Sequence, residues 1–166
     1  MASGDTLLTF HPYNNEPPSV TGTYATIDLR NNHPVLDFSA VGNQSAVFSA
    51  VMPRNYAGTT GLTGYIHYSM SSAVTGTVDW DMAFERIGDQ QQDVDVDSFA
   101  AVQSVDDTDV PGVSGMVDIV NVAFTNGADM DSVAVGELFR IKVTRDAASD
   151  DAVGDAELHA VEIKET

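Results

Sequence analysis

From residue 23 onward the chain alternates apolar and polar side chains with period two, and Gly, Asn, Asp and Pro separate the alternating runs. Successive side chains of a strand point to opposite faces, so each run predicts a strand with one buried and one outward face. The runs cover residues 23–30, 34–39, 45–52, 62–71, 76–87, 98–105, 116–125, 137–145 and 153–164. In the run at 76–87, Val78, Trp80, Met82 and Phe84 share the core side, and Asp79, Asp81 and Glu85 are expected to face water. The runs at 137–145 and 153–164 carry apolar residues on both faces, which suggests strands near an interface. Only residues 129–136 offer a helical turn, as a connector with an acidic cap and a glycine stop. Eight or nine strands with almost no helix predict an all-β, antiparallel β-sandwich, jelly-roll-like rather than immunoglobulin-like.

Residues 1–20 break the pattern, with Pro12, Asn14, Asn15, Pro17 and Pro18 interrupting any period. They are expected to form an extended N-terminal arm, loose or laid on a neighbour with Phe10 and Tyr13 as anchors. Residues 21–166 then form a single β-sandwich domain. No repeat of 20 to 50 residues is visible, which argues against solenoids and propellers.

Charge narrows the partners. Twenty-five acidic against seven basic residues give a net charge of −18, and such a surface repels phosphate backbones and anionic headgroups. Neither nucleic acid nor membrane is expected as a partner. Asp outnumbers Glu by 19 to 6, which places the acid mainly in turns. Adaptation to salty water and divalent-cation sites both remain open, and a plainly solvated acidic surface is the simpler reading. The chain has no cysteine, so disulfides, thiolate metal sites and thiol nucleophiles are excluded. Residues 1–5 lack a basic leader and no apolar run reaches ~18 residues. Synthesis in the cytoplasm is expected, with any extracellular life reached by lysis or inside a particle.

Candidate chemistry is sparse. Asp93, Asp95 and Asp97 start like a calcium loop, but Ser98 and Ser104 stand where an EF-hand needs glycine and glutamate. Asp106, Asp107 and Asp109, followed by Pro111 and Gly112, read as a turn that also offers oxygen donors. His11, His33, His67 and His159 have no zinc spacing and read as surface or interface residues. Asp79 and Asp81 share a strand face as an acid–base pair would, yet among so many carboxylates such pairs arise by chance. Tyr56, Tyr65, Tyr68 and Trp80 are the aromatics available for a sugar-stacking platform, although Trp80 reads as core and Tyr65 and Tyr68 fall on opposite faces. No nucleophile elbow or phosphate loop is present. The residues therefore point to no enzyme, no catalytic residue, no metal and no cofactor.

The runs Asn32–Phe38, Met52–Tyr56, Trp80–Arg86, Gly136–Asp146 and Gly154–Leu158 together resemble small β-sandwich virion proteins of tailed bacteriophages, of the capsid decoration (cement) type. The resemblance spans roughly residues 23–165. It implies a non-enzymatic virion structural protein that forms homotrimers, binds the major capsid protein and stabilises the phage head from the capsid surface. The different-class alternative is a carbohydrate-binding or host-adhesion module associated with a tail or fibre.

Overall fold

The computed structural model describes residues 4–17 and 19–166. Residues 1–3 and Pro18, part of the expected arm, lie outside the described residues. Ten strands and two short 3-10 turns form two antiparallel sheets. They are β1 (Thr6–Phe10), β2 (Thr26–Arg30), β3 (His33–Phe38), β4 (Gln44–Val51), β5 (Leu62–Met70), β6 (Thr77–Ile87), β7 (Gln103–Asp109), β8 (Asp118–Phe124), β9 (Leu138–Arg145) and β10 (Ala156–Glu165). The larger sheet runs β2-β3-β10-β5-β8, with β1 also on β10, and the smaller runs β4-β9-β6-β7. This is the expected all-β sandwich.

The core lies where the alternation puts it. Val78, Trp80, Met82 and Phe84 are buried, and Phe38 and Tyr68 approach Trp80 edge-on at 5.2 and 5.3 Å. Phe84 meets Phe124 at 4.8 Å across the sandwich. Aromatic pairs in these offset and edge geometries contribute about 0.5–1.5 kcal/mol each beyond their area. Gly64 on β5 leaves room for this packing, since a Cβ there would lie 2.6 Å from Cε of Met82 and push that side chain aside. Asn31 and Asn32, with φ of 46° and 65°, close the β2–β3 hairpin in the left-handed conformation that asparagine tolerates.

The two-sided pattern of residues 153–164 has a local cause. Leu158 pairs with Tyr68 but Ala160 pairs with His67, so His159 is an extra residue in β10. This bulge reverses the phase of the strand, and Ala156, Leu158, Val161 and Ile163 all reach the core. β10 is then a central strand with β5 along one edge and β3 and β1 in succession along the other.

Three expectations need correction. Asp79 and Glu85 do not face water: they are 6% and 3% exposed on the outer side of β6. Residues 106–109 are not a turn but part of β7, where Asp106 and Asp107 bulge opposite Asp79. Asp107 takes a φ of 53° and donates its N–H to Oδ1 of Asp79 at 2.6 Å, which answers that buried carboxylate. β7 itself starts at Gln103, five residues beyond the expected start at 98.

The amino-terminal stretch is extended and lies on its own domain. β1 pairs with β10, and Phe10 is buried and stacked on Phe48 of β4 at 5.3 Å, joining the two sheets. Tyr13, the other expected anchor, is 70% exposed.

Candidate functional site

The outward side of the smaller sheet is a groove with two walls. Residues 15–17 and 19–25 run along the free edge of β4 and make the first. There the Glu16 N–H donates to the Val47 carbonyl at 2.7 Å, and Asn15 Oδ1 accepts from the Val47 N–H at 2.9 Å. Further along, the Ala25 N–H donates to the Ser45 carbonyl and the Ser45 N–H to the Thr23 carbonyl, both at 3.0 Å. The second wall precedes β7, where the Ala100 N–H reaches the Phe84 carbonyl at 2.8 Å and carries Phe99 over β9.

Between the walls lies a cavity of about 710 Å³, lined by Glu16, Pro17, Ser19, Thr23, Asn43, Ser45, Val47, Phe99, Arg140 and Lys142. Strand parity supplies its floor. Phe139, Ile141 and Val143 enter the core, which leaves Arg140 and Lys142 pointing outward. Both cations approach the half-buried ring of Phe99, Nζ of Lys142 at 4.7 Å and Cζ of Arg140 at 5.2 Å from its centroid. Arg140 also holds buried Glu85, with Nη2 2.5 Å from Oε2. Ser49 donates to Glu16 at 2.7 Å, and the Ser45 and Thr144 hydroxyls share a 2.8 Å hydrogen bond on the floor.

The other half of the same face is acidic. Asp79, Asp81, Asp106, Asp107 and Asp146 line a second cavity of about 570 Å³ with Val102, Ser104 and Ser149. Burial raises the Asp79 carboxyl above the usual range, the Asp107 N–H opposes that, and neighbouring carboxylates add to the rise. Asp81 accepts from Ser104 at 2.5 Å. Asp79 and Asp81 thus have separate protein partners and do not act as a free acid–base pair.

The remaining sequence candidates fall elsewhere. Asp93 and Asp97 accept backbone N–H groups of Asp95 and Ser98 at 3.1 and 3.0 Å, as in turns. Among the described residues no three carboxylates or imidazoles converge as a metal site. Tyr56, Tyr68 and Trp80 are core residues. Tyr65 points outward from the larger sheet under Nζ of Lys164 at 5.8 Å. The aromatics weighed from sequence therefore make no shared platform. Phe99 was not among them, because period-two reading of residues 98–105 gives it no sign of an outward position.

His33, His67 and His159, distant in sequence, come to the outward side of the larger sheet. His159 contacts the Ser69 hydroxyl through Nε2 at 2.9 Å, and that hydroxyl also reaches Glu157 at 3.1 Å. Ser69 is fully buried, and the carboxylate engages the serine instead of orienting the imidazole. This arrangement lacks the access and polarity of a nucleophile. Burial lowers the His159 pKa, with Glu157 opposing and His33, Arg30 and His67 adding to the fall.

Fold and groove together define a β-sandwich with a polar, aromatic-edged groove on its smaller sheet. No protein-family model and no curated protein matches the chain. Solved structures do share the fold. A family 35 carbohydrate-binding module from an environmental isolate has a TM-score of 0.54 at 12% identity, over 96% of this chain and 94% of that one. The xylan-binding module CBM15 has a TM-score of 0.52 at 9% identity, over 96% and 97%. A putative sugar binding protein from Bacteroides thetaiotaomicron has a TM-score of 0.52 at 9% identity, over 98% and 100%.

Proposed function

We propose that this chain is a non-catalytic carbohydrate-binding module and that the groove on the smaller sheet receives the glycan. The carrying observation is the groove itself, a site of about 710 Å³ where one aromatic ring stands among side chains that donate and accept hydrogen bonds. A pyranose has that same duality, an apolar C–H face and a rim of hydroxyls. Phe99 would stack on the face, and Asn43, Ser45, Thr23 and Arg140 would bond the rim. The fold shared with named carbohydrate-binding modules supports this by analogy, since one fold serves many functions.

The test is affinity electrophoresis of the protein through gels containing soluble polysaccharides, comparing wild type with Phe99→Ala. Retardation by at least one polymer, lost in the variant with its folding intact, is expected. Equal mobility in every gel would remove the reading. The virion reading predicts otherwise: a trimer of about 53 kDa, three times the 17.6 kDa chain, that saturates undecorated capsids. Light scattering and capsid co-sedimentation separate the two.

A further inference from the structure

We propose, resting on that reading, that the groove selects acidic polysaccharides and holds a carboxylate or sulfate of the glycan on Lys142. Among the described residues, Arg30, Arg86, Arg140 and Arg145 each have a carboxylate partner within 2.5–2.7 Å. Arg54, Lys142 and Lys164 have none, although the chain carries 25 carboxylates, and of these three Lys142 is the one that lines the groove. Its partner is an aromatic ring, which fixes the ammonium in the groove without neutralising it.

The surroundings make Lys142 the anion-accepting position. The charge of Arg140 is answered by Glu85 beneath it, and the Glu16 carboxylate keeps its charge but is tied by Ser49 to the first wall. Asn43 and Ser45 line the same cavity as uncharged partners for adjoining hydroxyls. The neighbouring cavity on this face is acidic and repels an anion. A charged sugar therefore lodges at one end, and the gradient sets the direction in which the glycan lies.

The test uses the full chain against polygalacturonate and a sulfated galactan, each paired with its neutral form made by carboxyl reduction or desulfation. About tenfold tighter binding to at least one charged polymer than to its neutral form is expected, the scale of one charge-assisted hydrogen bond. Lys142→Met should abolish that difference while leaving the melting temperature unchanged, and Lys142→Arg should retain it. Equal binding of charged and neutral forms, or a preference that survives Lys142→Met, would overturn the proposal and leave carbohydrate binding standing. Binding to none of the four polymers would overturn the proposal, and equal mobility in every polysaccharide gel would overturn carbohydrate binding as well.

Discussion

Arg140 and Arg145 lie on one strand, five residues apart, and have opposite fates. Arg145 faces the interior, fully buried, and its five N–H groups reach Asp150 twice and the carbonyls of Phe38, Ala152 and Gly154. Arg140 faces the groove, reaches Glu85 and leans on Phe99. Odd positions of β9 enter the core and even positions do not, so parity alone turned one guanidinium into a tie and the other into part of the groove floor. The same residue type on the same strand is no guide to role until its side of the sheet is known.

The comparison breaks most visibly at Arg145. Arg145→Met should cost about 3–5 kcal/mol in denaturant unfolding, because Asp150 is then left buried and unpaired. Arg140→Met should cost less, about 1–2 kcal/mol, since the Arg140 side chain is 38% exposed on the outer face and its removal opens the buried Glu85 carboxylate beneath it to water. Adding Glu85→Gln should recover most of that loss, which a double-mutant cycle reads directly. A cost for Arg140→Met equal to that for Arg145→Met would erase the distinction.

Asp37 sharpens it further. Every donor of Arg145 is committed elsewhere, Asp37 Oδ1 is buried without a partner, and burial, aided by Asp155, Glu157 and Asp28, pushes its carboxyl up to about 6. The folded state therefore holds this proton more tightly than the unfolded state, and the stability it confers is present below about pH 4 and lost as pH rises through about 6. Asp37→Asn should stabilise the protein by about 1–2 kcal/mol at pH 7, after allowance for solvent screening, and by almost nothing near pH 4. Thermal melts at the two pH values check this. The smallest stability effect belongs to Phe99→Ala, about 0.5 kcal/mol, even though this change should abolish glycan retardation.

The sheets were legible in the sequence because β4, β5, β6 and β8 show clean alternation between polar turns. β1 was not, since TLLTF lacks alternation and the prolines beyond it mask a strand held by pairing across the whole chain. The bulges at His159 and at Asp106–Asp107 also escaped, because an extra residue reverses parity without changing composition. The groove was the least legible part. Phe99, Lys142 and Asn43 lie far apart in the chain, and only pairing in the smaller sheet, with the segments that flank it, brings them together.

The position of β10 bears on how the molecule comes into being. It binds β1, β3 and β5, yet it is the last of the ten strands to leave the ribosome. Until it emerges, the earlier strands of the larger sheet wait with open edges, a state that invites pairing with other nascent chains. The dense negative charge of the chain then serves synthesis, holding unfinished copies apart until the final strand closes the sheet.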